Sequence, residues 1–566
     1  MKTSDAPRPR PVVARYAPVA AIVAVIALVP LIADGIRGHA PSTGVPPAQV
    51  SALPLTPETA RAQQRSVDFG PTCDLSTGRV RLPSAYAPPC VPPFHADNGG
   101  RTAQGVTGDT ITVAVYQAAP DLLQEGILAA GGGGDNAAQS ARTLQDYVTL
   151  FEDHYQTYGR HVRLVNVDAS GGAADDAAAR ADAIRVAAEI KAFASFGGPS
   201  QTDAYAQELA ARHVLCIGCA TGMTDARVRS LAPYVWGVQP SPEQANVLTA
   251  EYVGKRLKGQ PAGFAGDPAL QRKPRVFGLL AYDTPSGTFG PVRDNLTREL
   301  AGYGVTVAAT GTYLLDVSQA QELARTLITK MKSVGVTSII FDGDPFAPVF
   351  LTQEATRQNY FPEWIVTGSV LTDTSAFARL YDQRQWAHAF GLSELSGRVK
   401  EQDSDPYRLH VWQFGSAPPA PSSYPLIYVN PFLFFLGVHL AGPDLTADSY
   451  AQAMWSYPLT GGDPTVARLS FGRHGIWTND DYLGFDDAVE IWWDPHASGQ
   501  DEIGRAGTGL YRYVDEGRRY LPGTWPSTPA APFRADNSVA IFSPPPLPAY
   551  PSPAGARGTT TTNRAP

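Results

Sequence analysis

Four cysteines, ten histidines and a late run of carboxylates are the first residues whose chemistry has to be placed. Cys216 and Cys219 stand as C-x-x-C, the spacing of thiol–disulfide exchange, but a thioredoxin-like pair opens a helix whereas this one closes a short β-pattern. A structural or incidental placement is the better reading. Of the three complete pairings that four cysteines permit, an oxidising compartment makes Cys73 with Cys90 the natural disulfide. Asp480, Asp481, Asp486, Asp487, Glu490 and Asp494 invite calcium, yet the run lacks the glycine and alternate spacing of an EF-hand loop and reads as a solvated surface with a strand through it. The histidines form no H-E-x-x-H pair and no serine sits in a G-x-S-x-G elbow. No metal, cofactor or catalytic constellation is expected, and the chain reads as a non-enzyme.

One stretch offers binding chemistry instead. In FGGPSQTDAYAQELAARHVLCIGCAT, residues 196–221, a Gly-rich loop leads from a strand into a helix. Backbone N–H groups and the positive end of the helix dipole, set beside hydroxyls, can hold a carboxylate or another acceptor-rich ligand. Ser200, Gln201, Thr202 and Thr221 are the candidates; the competing account is that Ser200 and Thr202 merely cap the helix.

The elements that must position this loop alternate regularly. Strand patterns at 111–116, 161–168, 194–196 and 214–217 are separated by helical patterns at 137–157, 175–192 and 200–212. A second run follows: strands at 276–282, 305–312, 338–342 and 364–367, helices at 289–303, 319–334 and 346–359. Such alternation predicts right-handed βαβ units around parallel sheets, hence two similar Rossmann-like α/β lobes with the chain crossing near 235–239. Ligands bind outside the carboxyl ends of such strands, so two lobes make a closable cleft.

The ends read differently. Ala17 to Ala33 are 17 uncharged, mostly apolar residues, at the short end of a bilayer span, and Arg8, Arg10 and Arg15 precede them. The positive-inside rule keeps those arginines in the cytoplasm and exports the rest. Gly38-His39-Ala40 leaves a cleaved signal open; the segment's length favours a retained membrane anchor. Residues 41–104 read as a Pro/Ala-rich tether with one local staple, folding starting near Val106, and 523–566 as a Pro/Thr-rich disordered tail, its PPPLPAYP run a stiff linker or wall-spanning tail rather than a polyproline ligand. The two-lobed domain then spans 105–522, with lobe 1 at about 105–238 and 367–450 and lobe 2 at about 239–366 and 451–522.

Composition sets outer bounds. Of 566 residues 17% are charged, against roughly 25% in ordinary globular chains, with Gly 53 and Pro 50, so the globular part is shorter than the chain. A net charge of −8 argues against a nucleic-acid partner. Only 8 of the 45 basic residues are lysine, a bias that points to a GC-rich bacterial genome.

Over about residues 105–520 the ordered set resembles the type I periplasmic binding proteins, specifically the leucine/isoleucine/valine- and amide-binding solute receptors of ABC transporters. The family's strand, Gly-Pro loop, helix and Ala-Thr strand end are matched by Gly198-Pro199, Ser200 to Thr202, and Ala220-Thr221. Tyr282-Asp283 followed by Phe289-Gly290 resembles its second-lobe segment, with Phe289 where an aromatic ring often lies on the ligand; a first-turn core contact is the alternative. Val366-Thr367-Gly368-Ser369 resembles the cleft loop that supplies an acidic partner for an amino acid's ammonium. Here Ser369 and Val370 stand there, with Asp373 farther on, which speaks against a free α-amino acid. FFLGVHLAGPDLTADSYAQAM (434–454) and LSFGRHG (469–475) resemble its late helix–turn–helix and strand–turn, and 489–493 with 509–514 would finish the sheet. The resemblance implies the type I periplasmic binding protein fold and an extracytoplasmic solute-binding protein that presents a small polar ligand, such as an amino acid or amide, to an ABC permease. It implies ligand contacts at Ser200, Gln201, Thr202, Ala220, Thr221, Phe289 and Ser369, with loops around Asp283, Asp344 and Asp373 next in order. The rival reading is a ligand-sensing receptor ectodomain.

Overall fold

In the computed structural model the described residues are 53–119, 134–220, 222–284, 287, 289–314, 316 and 318–554. The expected anchor at 17–33 and the candidate Thr221 lie outside them.

Short β-branched and aromatic runs become strands of two parallel sheets. The first contains β3 (Thr110–Gln117), β4 (His161–Asp168), β5 (Ala194–Phe196), β6 (Leu215–Ile217) and β7 (Val235–Trp236), in the order β4-β3-β5-β6-β7. The second contains β8 (Phe277–Tyr282), β9 (Val307–Tyr313), β10 (Ser338–Asp342), β11 (Glu363–Val366) and β12 (Ala389–Ser393), in the order β9-β8-β10-β11-β12. Both runs place their second strand outside the first and the third on its other side, so each lobe has its strand-order reversal at the same place. The second sheet is extended antiparallel by β13 (Ala488–Gln500), β14 (Ala506–Val514), β15 (Arg519–Tyr520) and β16 (Ser538–Val539).

Strand periodicity sorts the second lobe's core onto two faces. Ile339, Phe341, Trp364 and Trp493 point to one, Ile340, Ile365, Phe390 and Trp492 to the other, all buried. The first lobe's core adds helices Asp405–Phe414, Tyr424–Ala441 and Ala447–Ser456 to its strands. Helix Tyr424–Ala441 is long and apolar enough to cross a membrane but is largely buried in that core, its Phe434 edge-on to Phe196 at 5.5 Å. Thr446 caps the next helix by accepting from Ser449 N, as the sequence pattern suggested.

This assignment corrects the expected lobe boundaries. Residues 367–393 belong with the second sheet, since β12 pairs with β11 and β13, while Leu469, Phe471, Tyr482 and Leu483 pack in the first core. The chain crosses between lobes at 237–241, 394–404 and 484–487. Gly237 and Val238 exchange backbone bonds with Tyr482, Gly484 and Phe485, binding the first crossing to the third.

The expected tether is folded from residue 53 onward. Pro57 opens a short helix capped by Thr56, and β1 (Cys73–Asp74) pairs with β2 (Arg79–Val80) beside a disulfide between Cys73 and Cys90. Val80, Leu82, Ala87 and Val91 sit in the first lobe's core. Side chains of that lobe satisfy the segment's backbone: Tyr457 Oη donates to Tyr86 O (3.1 Å), and His439 Nε2 is 2.9 Å from Pro89 O. Proline and small residues pack here without period, which is why pattern reading placed the start of folding too late.

The residues expected to form a disordered tail also pack, as far as 554. Trp525 is buried and stacked on Tyr520 at 4.3 Å; Phe533 meets Phe390 and Trp492; Ser538–Val539 adds a strand. A few aromatic anchors do here what a periodic apolar face does elsewhere.

Candidate functional site

The strand-order reversals put two sets of strand ends around one crevice. On the first lobe these are Gln117 at the end of β3 and Gly197 after β5; on the second, Asp283 after β8 and Gly343 after β10.

In the first lobe, Gly197 turns the chain with φ 72°, a left-handed conformation open to glycine. Gly198 follows in a space where a Cβ would meet Tyr205 at 3.0 Å and the Cys219 sulfur at 3.5 Å. The Gly-rich loop and the end of β6 are therefore packed face to face. Cys216 and Cys219 are joined in a disulfide, which pins the loop leaving β6 to that strand. Behind the loop, Tyr205 Oη and Ser195 Oγ are 2.8 Å apart, and Tyr116, 4.7 Å from Tyr205, donates to Asp182.

The candidates divide. Thr202 Oγ1 donates to Asp176 and accepts from Ala204 N (3.1 Å), so its hydroxyl ties two helix starts together, the capping role weighed against ligand contact. Gln201 N donates to Ala173 O (3.2 Å). Ser200 and Ala220 are half-buried in the two facing loops. Phe289 is the candidate that reaches across: a Cβ placed on Gly222 of the first lobe would come within 2.7 Å of its ring. The ring is half-buried, 5.4 Å from Tyr282, which is 5.9 Å from Tyr313. Asp283 sets this geometry by accepting from Thr284 N and Phe289 N (3.1 Å) and pairing with Arg293 at 3.3 Å.

Ser369 serves the second lobe's frame. Its Oγ accepts from Gly343 N (2.9 Å) and donates to Gly343 O (3.0 Å), stitching the ends of β10 and β11. The loop it opens is strained: Val370 has φ 42° and Leu371 φ 64°, left-handed values costly for a β-branched residue, with Val370 45% exposed at the tip.

Beneath that loop lie carboxyls that the sequence pattern ranked second or missed. Asp344 caps the helix Ala347–Arg357 through Phe346 N and Ala347 N, and Tyr313 Oη accepts from its backbone N–H. Asp373 accepts from Ser393 Oγ, and Glu394 follows on the second crossing. One oxygen of each, Asp344 Oδ2, Asp373 Oδ1 and Glu394 Oε1, is buried without a partner among the described residues. Burial pushes Asp373 up to about 7 and Glu394, with Asp373 as a like-charged neighbour, up to about 8. Among the described residues no group of three His, Cys, Asp or Glu is arranged to hold a metal ion.

Of the late acidic run, Asp481, Asp486, Asp487 and Glu490 are buried beside the crossings, correcting the expected solvated surface there. Asp486 accepts from Ser470 Oγ (2.5 Å) and Trp477 Nε1 (2.7 Å); Asp481 accepts from Gln244 Nε2 (3.0 Å). Arg519 pairs with Asp487 at 2.8 Å and donates to Glu394 O and Leu395 O, clasping the second and third crossings. The partners come from outside the run, Gln244 from the other side of the first crossing, and no period marks them, which is why the run looked solvated.

No known family model matches the sequence, and no curated protein matches it. Solved structures do. An ABC transporter substrate-binding protein from Sphaerobacter thermophilus is 12% identical, with a TM-score of 0.51 over 74% of this chain and 100% of its own. Solute-binding proteins of ABC transporters from Rhodopseudomonas palustris BisB5, in complex with 3,4-dihydroxybenzoic acid, and HaA2, with p-hydroxybenzoic acid, are each 13% identical with TM-scores of 0.50, covering 73% of this chain and 98% of theirs. At such identities the likeness is one of fold: the chain adopts the fold of the type I periplasmic binding proteins.

Proposed function

We propose that the chain is the extracytoplasmic solute-binding protein of an ABC-type uptake system, closing its two lobes on a small polar ligand that it hands to a permease. The observation that carries this reading is the meeting of Phe289 from the second lobe with Gly222 of the first, at the crevice where both sets of strand ends converge. Two disulfides among the described residues agree with an oxidising compartment. The fold neighbours are transporter receptors, and two of them hold hydroxybenzoates.

The ligand differs in kind from a simple carboxylate. The second wall carries Asp283, Asp344, Asp373 and Glu394, and its Arg293 is already engaged by Asp283 and Asp294. The carboxyls in and beneath that wall favour a ligand that exchanges hydrogen bonds there, while the Gly198–Ser200 loop would receive its acceptor end. Amides, amino sugars and amine-bearing solutes fit; a benzoate carboxylate fits only the first wall. A sensing ectodomain would share all these features and differ in its partner.

A thermal-shift screen of amino acids, amides, amines, sugars and hydroxybenzoates tests the reading. A true ligand at 100 times its Kd stabilises the folded chain by about 2.7 kcal/mol. Stabilisation confined to donors or cations supports the acidic wall; turnover of the hit without a stable complex would argue for an enzyme instead.

A further inference from the structure

The Pro-rich run near the C-terminus joins the two lobes a fourth time. Its near end belongs to the second lobe: Phe542 packs 5.4 Å from Tyr513, and its N–H donates to Arg398 O (2.7 Å) in a parallel bridge of Phe542 with Val399. Its far end belongs to the first lobe. Trp412 Nε1, on a helix of that lobe's core, donates to Tyr550 O (3.1 Å), Ser552 Oγ donates to Trp412 O (2.5 Å), and Tyr550 Oη donates to Asp74 Oδ2 (2.9 Å) on the disulfide-bound hairpin. The run thus follows the second crossing in the same direction, residue 542 beside 399 and residue 550 beside 412.

Between those anchors the sequence is SPPPLPA, residues 543–549, four of seven being proline. Proline locks φ near −65°, and a Pro-rich segment spans about 3.1 Å per residue with little left to extend. Eight steps from 542 to 550 therefore reach about 25 Å, close to the fully extended limit of roughly 3.3 to 3.6 Å per residue. A Gly/Ser segment of equal length would coil and stretch; this one cannot. We propose that residues 542–552 are a stiff tie across the hinge that limits how far the lobes open. The inference rests on two lobes that move, and on no particular ligand.

The test is made on the full chain without ligand. Both native cysteine pairs are in disulfides, so Glu189→Cys on the first lobe and Ser333→Cys on the second, both exposed, accept spin labels for a distance distribution by pulsed electron resonance. Inserting six Gly/Ser residues between Pro546 and Leu547 adds about 13 Å of slack. The tie predicts a new population at longer distance, extending by up to that amount, and a smaller broadening in Tyr550→Phe, which loses the hydroxyl's bonds to Asp74 and Thr77 of the hairpin and keeps the rest of the anchor. Small-angle scattering of the unlabelled insertion variant should show a larger radius of gyration at an unchanged circular dichroism spectrum. Distributions that superimpose on the parent's, in both variants, would overturn the tie. Since no ligand is used, that outcome leaves the solute-binding reading untouched.

Discussion

The two lobes share a strand order and differ in what they put at its carboxyl ends. The first offers glycines, hydroxyls and a disulfide, with no carboxylate among Gly197 to Thr202. The second offers Asp283, Asp344, Asp373 and Glu394, several with an oxygen unpartnered. One topology therefore supplies two chemistries, and under the proposed function a ligand between them would meet hydroxyls and backbone N–H groups on one side and carboxyls on the other. The contrast also extends to stability. The first wall carries no carboxylate, whereas the second keeps carboxyls that cations must offset: Arg293 pairs with Asp283, Arg398 lies near Asp373, and Arg519 lies near Glu394 and pairs with Asp487.

Removing that offset should have the largest effect. Arg519→Met leaves buried Asp487 without its ion-pair partner and frees Glu394 O and Leu395 O, so denaturant melts should show a loss of about 3 to 5 kcal/mol. A loss below 1 kcal/mol would mean the acidic wall needs no clasp. The pH profile comes next. Asp373 and Asp486 are pushed up to about 7 and Glu394 to about 8, chiefly by burial. Unfolded, these carboxyls release their protons near pH 4; folded, they keep them to about 7 or 8. Their stabilising difference is full below pH 4 and is lost as the pH rises through the folded values, so the melting temperature should fall from pH 5 to pH 8 and level above. Asp373→Asn should flatten that slope, and an unchanged slope would remove Asp373 from the account.

Smaller effects separate the walls further. Phe289→Ala should weaken ligand binding by about 2 kcal/mol in a calorimetric titration, because the ring faces Gly222 across the crevice. Being half-buried, it should cost less in a denaturant melt than in affinity. Thr202→Ala should do the reverse: about 1 kcal/mol of stability through the lost bonds to Asp176 and Ala204 N, with affinity unchanged. A Thr202 variant that binds tenfold more weakly would restore the ligand role expected from its motif.

The architecture was legible because periodicity suffices for it. The strands His161–Asp168, Ala194–Phe196 and Ser338–Asp342 fall where pattern alone places them, and the two runs of alternation announced two lobes. What escaped was whatever depends on a partner far along the chain. Asp481 looks solvated beside Asp480 in sequence, but it is buried and accepts from Gln244, 237 residues earlier. The Pro-rich ends look like linkers because their burial comes from single aromatics and from lobe side chains reaching to their backbone, neither of which has a period. At the candidate site, Phe289, singled out in the second-lobe segment, lies against Gly222, whereas Thr202 of the Gly-Pro loop is turned to Asp176, an orientation that spacing does not encode.

Hydrogen exchange of the full chain with and without the ligand found by thermal shift tests the central claim most directly. Closure of the lobes on one solute should slow exchange together in the loops at 197–203 and 218–224 of the first lobe and at 283–290, 342–344 and 368–374 of the second. Protection confined to one lobe, or placed away from both sets of strand ends, would contradict it.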